Sequence, residues 1–365
     1  MAAGLHDAVN DRERVVAAFR AGEAIYSAQG SPLYAALSKA GAEDPFILEL
    51  ASHAMKAAPP VHLFTSVHYM LLGGLTDPLA RFFPTLSPEP TPPDEAWSDF
   101  RRFCDEHHEE LRRLLETRPV QMTYVERCRT LLPPMCQVAE QSREPLNIIE
   151  IGCSAGVLLT FDHYAYELRE GERVGPADAP FLLKGQLSGG PRLFMPRIGT
   201  RTGIDLNLID ARSEQDRRWM LATCFPELRD EQARLAQAMD IVVETDIRWL
   251  EGDALELIAD AVAETPDPVC VYHSACLFYW PHEAKAALDE RLCDMSGDRI
   301  IHRIGIEPSE RFNNWQTGCT GSARNADYSS RPSGEITMTR YHRGDLERQV
   351  VALSGANFGS IWWND

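Results

Sequence analysis

Three acidic residues stand at the ends of three short apolar runs. Glu150 is the penultimate residue of "NIIEI", Asp205 closes "TGID", and Asp253 follows "RWLEG". Between the first two lies a turn of small residues, with Gly152 and Gly156 bracketing Cys153, Ser154 and Ala155. A carboxylate at a strand end can accept from both hydroxyls of a ribose. An acid beside such a turn suits a cationic ligand better than a polyphosphate. The spacing is G-x-x-x-G, with Ser154 where the pyrophosphate motif G-x-G-x-x-G has its second glycine, and no G-x-x-x-x-G-K-[ST] loop occurs. A tight strand-helix turn also needs small residues whatever it holds. Asp205 reads equally as a turn residue, and Asp253 as the N-cap of "ALELIADAV".

Further along, His273 ends the run "PVCVYH" and is the best candidate for a general base; the alternative is a histidine bonded to backbone. Ser274 is its weaker neighbour. Tyr279 could orient an acceptor or pack with Phe278 and Trp280. Glu307, in "RIGIEP", could bind an amine or stand as a solvated strand-end acid. His62 and His68 lie six apart on an apolar stretch and read as core histidines. His107-His108 reads as surface. The "IWWND" tail reads as a last buried strand, with Trp362 or Trp363 available to border a pocket. No metal-ligand spacing and no Ser-His-Asp arrangement is visible, so no metal is expected.

The elements that must position these groups fall into two parts. Residues 1 to about 142 read as helices. "DPFILELASHAM" starts with an aspartate cap and a first-turn proline. "WSDFRRFCDEHHEELRRLLETRP" reads as one long helix with Phe100, Phe103, Leu111 and Leu115 inward, and "MTYVERCRTLLPPMCQVAEQS" as a helix kinked or broken at Pro133-Pro134. "PTLSPEPTPPDEAW" is a proline-rich loop. From about 143 to the end, apolar strands alternate with helices, the pattern of a parallel sheet covered on both faces. The strands are "NIIEI", "TGIDL", "IRWLEG", "PVCVYH", "RIIHRIGIE", "EITMTRYH" and one in "FGSIWWN". Val157, Phe161, Tyr164 and Leu168 recur at helical spacing, which predicts a helix after the small-residue turn. Residues 169 to about 201, rich in Gly and Pro, read as an inserted hairpin or lid.

Composition narrows the function. The chain has 365 residues and a formal net charge of -18. That field repels phosphate backbones, so no nucleic-acid partner is expected. Nine cysteines, none in a CxxC pair, fit reduced intracellular thiols. "VHLFTSVHYMLLGGL" is shorter than the ~20 residues of a spanning helix, and the N-terminus has no leader-like apolar stretch. A cytoplasmic protein with no membrane partner is expected.

"EIGCSAG" resembles the first motif of class I S-adenosylmethionine-dependent methyltransferases. "TGIDLN", "WLEGDAL" and "VCVYHSAC" are similar to that family's second, third and fourth strands, in order. "EIGCSAGVLLTFDHYAY", "GIDLN", "DRRWMLATCFPE", "LEGDA" and "YHSA", after a helical N-terminal region, narrow the resemblance to a bacterial family of uncharacterised proteins with this core. It covers most of the chain, from about residue 61 onward. Where that family has a QTNE-like motif, this chain has "QMTY", Gln121 to Tyr124.

The resemblance implies an α/β fold: a Rossmann-like sheet, mostly parallel with an antiparallel last strand, behind an all-α N-terminal domain. It implies S-adenosylmethionine as cofactor, held by Glu150, Gly152, Cys153, Ser154, Gly156, Asp205, Leu206, Asp253, Ala254 and His273. His273, Tyr279 and Glu307 would serve catalysis. The expected activity is methyl transfer to a small-molecule N or O acceptor, and a homodimer stays open. The alternative is a non-catalytic protein of the same fold that binds an adenosyl ligand or a protein partner. "YHSA" stands where amine methylases carry Asn/Asp-Pro-Pro-Tyr. A nicotinamide-dependent oxidoreductase is disfavoured by Ser154.

Overall fold

The computed structural model describes residues 2–55, 59–142, 144–309 and 331–364, with the side chains of residues 2–11 left aside. Among these the chain forms two compact units. One holds residues up to Met122 together with Glu214–Ala233; the other holds Thr123–Ser213 and the described residues from Arg234 onward. Thr123 to Ser142, read from the sequence as part of the helical region, therefore group with the sheet.

The first unit is built from α1 (Ala2–Ala28), α2 (Pro32–Gly41), α3 (Pro45–Ala51), α4 (Pro59–Leu72), α5 (Trp97–Glu106) and α6 (His108–Thr117). Asp44 caps α3 as its sequence predicts, accepting from the Phe46 and Ile47 amides at 2.9 and 3.1 Å. Instead of one long helix, α5 and α6 meet at His107, which leaves helical geometry (φ −116°, ψ 20°) and lays its ring 4.5 Å from that of Phe103. The break still leaves Phe100, Phe103, Leu111 and Leu115 inside. The unit's core is a chain of edge-on aromatic contacts through Phe19, Tyr26, Tyr34, Phe64, Phe100 and Phe225. The segment Glu214–Ala233 supplies more than Phe225. Glu227 accepts from Ser31 Oγ (2.7 Å) and the Leu33 amide (3.0 Å), so it satisfies the amino end of α2. His68 bonds Thr85 Oγ1 and the Ala222 carbonyl, and burial holds its pKa down at about 4. It is the core histidine its sequence suggested.

The second unit opens with α7 (Cys128–Ala139), which runs unbroken through Pro133 and Pro134 and forgoes their backbone donors. Then come β1 (Leu146–Ile151), β2 (Ala165–Arg169), β3 (Glu172–Val174), β4 (Leu182–Lys184), β5 (Gln186–Ser188) and β6 (Ile198–Asp205). After α8 (Glu214–Ala222), which with the first turn of α9 (Arg229–Glu244) belongs to the first unit, come β7 (Arg248–Glu251), α10 (Ala254–Ala263), β8 (Val269–Ser274), α11 (His282–Ser296), β9 (Ile301–Pro308), β10 (Pro332–His342), β11 (Asp345–Gly355) and β12 (Ser360–Trp363). Nine strands form one mostly parallel sheet in the order β5-β12-β11-β10-β9-β8-β1-β6-β7. The parallel run β7-β6-β1-β8-β9 has the 3-2-1-4-5 order of a doubly wound fold. β1 and β8 are buried at every position, as strands covered on both faces must be. Ile149, Ile151, Val269, Val271 and Ile301 pack on one face with Ile258 and Val262 of α10 and Leu288 and Leu292 of α11.

Three expectations are corrected here. The two closing strands read from "EITMTRYH" and "FGSIWWN" do not pair with each other: a third strand, β11, lies between them, and the parallel run is followed by the antiparallel meander β10-β11-β12. The insert is a small sheet, β3-β2-β4, whose neighbour β5 pairs with β12 at the far edge. Most important, no α-helix follows the small-residue turn; the chain makes only a single 3-10 turn, Phe161–His163, before β2. Residues 153–161 are buried without interruption, so a helical period could be picked from a stretch that has none. Thr160 Oγ1 and Tyr164 Oη both bond the Val157 carbonyl, at 3.1 and 2.7 Å, and tie the coil directly into β2.

Candidate functional site at the carboxyl edge of the sheet

In this topology β1 is flanked by β6 on one side and β8 on the other. Ligands of open α/β sheets bind outside the carboxyl ends of the strands, where the strand order reverses, and here that place is the end of β1. Gly152 and Gly156 take φ of 77° and 74°, and Ser154 takes 50°. The glycines are required twice over. Their backbone is left-handed, and the space a Cβ would fill is occupied by Cys276 Sγ at Gly152 and by the Trp249 ring at Gly156. Ser154 and Ala275 (φ 50°) are two of the four described non-glycine residues with positive φ, and both lie at this edge. Such conformations cost about 1 kcal/mol or more and persist only where surroundings fix them.

Asp205 does the fixing at Ser154. Its Oδ2 accepts from the Ser154 amide at 2.8 Å, and its Oδ1 from the Asn207 amide at 2.9 Å. The carboxylate thus joins the end of β6 to the turn after β1, in one plane set by two backbone donors. Leu206, the next residue, is 73% exposed, an uncommon position for a leucine beside a buried acid. Cys153 is buried.

Across β1 lies a second polar group. Glu150 is 2% exposed and accepts from Tyr272 Oη (3.1 Å), its neighbour in register on β8. Burial pushes its carboxyl well above the usual range; the Tyr272 bond opposes this and the nearby Asp205 adds to it. Burial therefore favours the neutral form of Glu150 over the anion, and its side chain faces Tyr272 beneath the turn. Arg127, buried just before α7, donates from Nη1 to the Ser274 carbonyl at 3.1 Å. Burial pulls its pKa down, against Tyr124, Glu307, Tyr279 and Glu150. Neither Arg127 nor Tyr272 carries any periodicity or motif that would single it out in the sequence.

The third group joins β8 and β9. His273 Nδ1 lies 2.6 Å from Glu307 Oε1. The same oxygen accepts from the amides of Cys276 (3.2 Å) and Leu277 (3.1 Å), and Oε2 from that of Phe278 (3.2 Å). Glu307, partly buried, is not simply a solvated strand-end acid: it is the carboxylate around which the loop after β8 is wound. Burial lowers the His273 pKa, Glu307 opposing, so the imidazole is neutral at pH 7, with Nδ1–H donated to the carboxylate and Nε2 as the basic nitrogen. Tyr279 is 74% exposed, its ring stacked on Phe278.

Asp253 stands apart. It caps α10, accepting from the Leu255 amide at 2.8 Å, and Ala254 packs into the core on that helix's face of the sheet. Of the three strand-end acids, then, the fold brings Asp205 to the turn, seals Glu150 beneath it and gives Asp253 to a helix. Cys276 links the groups, its sulfur against Gly152 and its amide on Glu307. Among the described residues one set of metal-ligand types converges, Asp77, Glu106 and His107 in the helical unit, and Asp77 there is gripped by Arg102. Eight cysteines are free thiols; Cys319 lies outside the described residues. No described helix is long and apolar enough to cross a membrane.

The fold and this edge describe an α/β protein with a helical N-terminal region. The family model "Uncharacterized protein conserved in bacteria (DUF2332)" matches residues 17–358, and the chain belongs to that family. No curated protein matches the chain.

Proposed function

We propose that the end of β1 and β6 binds S-adenosylmethionine and that the protein transfers its methyl group to a small-molecule N or O acceptor. The observation that carries this reading is Asp205: a carboxylate oriented by two backbone amides at the point where strand order reverses, followed by an exposed leucine. That pairing suits an adenosyl ligand, the acid toward ribose hydroxyls and Leu206 against the adenine face. The fit is confined to this side of the turn. The Cβ-free sides of Gly152 and Gly156 are filled by Cys276 and Trp249, so those glycines serve packing.

The bound cofactor would supply an electrophilic methyl on a sulfonium. What remains for this chain is positioning, which can account for ~7–11 kcal/mol of a barrier. His273 is the proton-accepting candidate, its ring oriented by Glu307 on Nδ1 so that Nε2 is left as the free nitrogen. Tyr279 stands at the exposed rim on the acceptor side. A second reading, an adenosyl-binding protein without catalysis, draws on one observation: His273 is only 4% exposed, and its partner Glu307 is committed to the loop.

Calorimetric titration with S-adenosylmethionine and S-adenosylhomocysteine tests the binding. Micromolar binding that Asp205→Ala loses is the expected result. Absence of binding by folded protein sinks both readings. Methyl release in an acceptor screen then separates catalyst from sensor.

A further inference from the structure

At the opposite end of the central strands the second unit has a hollow of about 200 Å³. Its floor includes Met338 and His302, and its walls Gln137, Arg340, Glu347 and Gln349. His302 begins β9 and pairs in register with Arg340 of β10, which in turn pairs with Glu347 of β11. The hollow is thus a feature of the meander and α7, remote from Asp205 along the strands.

Two further lining residues are committed, Arg348 to Asp289 and to Thr339 Oγ1, but others are not. His302 is 8% exposed, and none of the hydrogen bonds among the described residues involves its ring nitrogens. Burial, with Arg340 adding to it, holds its pKa at about 4, so at neutral pH it is an imidazole with one N–H to donate. Arg340 is donor-only and cannot accept that proton. The Gln137 side-chain oxygen is likewise buried without a donor. Arg340 and Glu347 face one another across the β10–β11 strand pair, and neither enters any of the ion pairs found among the described residues. Only the Gln137 oxygen is sealed from solvent, and such a group left unmatched costs about 1–3 kcal/mol, which a donor in the hollow would recover.

The occupant's chemistry follows from the gaps. The His302 N–H and the Arg340 guanidinium lack an anionic acceptor; the Gln137 oxygen and the Glu347 carboxylate lack a cationic donor. We infer that this hollow is a second ligand site, for a small zwitterion bearing a carboxylate and an ammonium group, of amino-acid size. The carboxylate lies against His302 and Arg340, the ammonium toward Gln137 and Glu347, and Met338 receives the aliphatic part. The site stands independently of the reading at Asp205.

The test uses saturation-transfer NMR on the full chain with L-alanine, L-serine, L-glutamate and L-glutamine as probes, and acetate and ethylamine as single-charge controls. At least one amino acid binds, acetate and ethylamine bind at least tenfold more weakly, and Arg340→Gln, on the half-exposed wall, weakens the amino acid at least tenfold. His302→Gln does the same where it folds. If no amino acid binds folded protein, or Arg340→Gln leaves affinity unchanged, the site is refuted. Acetate binding as tightly as the amino acids refutes the zwitterion.

Discussion

The ends of β6 and β9 each carry an acid that collects backbone amides, but they use it differently. Asp205 takes one amide from the turn after β1 and one from its own chain, and the next side chain, Leu206, points to solvent. Glu307 takes three amides from one loop and the His273 imidazole besides. The first arrangement joins two strand ends and leaves an apolar residue at the surface beside the joint. The second turns inward and closes a loop. Strand-end acids are thus not interchangeable evidence for a ligand: what they hold, and what stands next to them, decides.

If that contrast is right, Glu307 is foremost a structural residue. Glu307→Ala strips the acceptor from three amides and one imidazole, and unmatched donors cost about 1–3 kcal/mol each. A loss of about 4 kcal/mol in denaturant unfolding is expected, with Glu307→Gln recovering part of it. A change below about 1 kcal/mol would mean the loop is not built on this carboxylate. Asp205→Ala is expected to cost less in folding, about 1–2 kcal/mol, and to act on the ligand: S-adenosylmethionine affinity falls about 100-fold, equivalent to about 2.7 kcal/mol. An equal loss of binding in Glu307→Gln would erase the distinction between the two ends.

Glu150 sharpens the comparison as the acid with no solvent at all. Its carboxyl is raised above its ordinary 4.5, chiefly by burial, so the folded chain keeps a proton that the unfolded chain gives up. Stability from this group is complete below pH 4.5 and falls as pH rises from there through the raised value. The slope is up to about 1.4 kcal/mol per pH unit, one proton's worth. Glu150→Gln has no proton to release and keeps an acceptor for Tyr272. Its unfolding free energy is expected to lose that component of the pH dependence between pH 5 and 8. A variant curve parallel to the parent's would show that Glu150 is ionised in the fold.

The sheet strands were legible because burial on both faces writes continuous apolar runs such as "NIIEI" and "PVCVYH". So was the α3 cap, since Asp-Pro has a local mechanism. The helix after the turn was misread because 153–161 is buried throughout, so its apolar residues occur on every side and a helical period can be picked from them. β11 was missed for the opposite reason. Its first half, "DLERQ", is exposed on both faces, and its hairpin with β10 turns through Arg343-Gly344 (φ 55° and 80°) instead of the usual Asn-Gly. At the site, Asp205 was found from its place at a strand end. Arg127, Tyr272 and the grip of Glu307 on its loop depend on contacts between distant segments, which no local pattern records.

Asp253 gives the smallest effect and the cleanest division between fold and ligand. It sits where the methyltransferase resemblance expects an adenine contact, yet its side chain accepts from Leu255 N and ends the exposed start of α10. An N-cap aspartate replaced by alanine costs about 1 kcal/mol, and by asparagine much less. Asp253→Ala is therefore expected to lower stability by that amount, to be rescued by Asp253→Asn, and to leave S-adenosylmethionine affinity within twofold of the parent. Should Asp253→Ala weaken binding as much as Asp205→Ala while Asp253→Asn does not, the acid meets the ligand as well as the helix. The ligand would then reach across β6 to the end of β7, past the exposed Leu206, which would have to be covered in the complex.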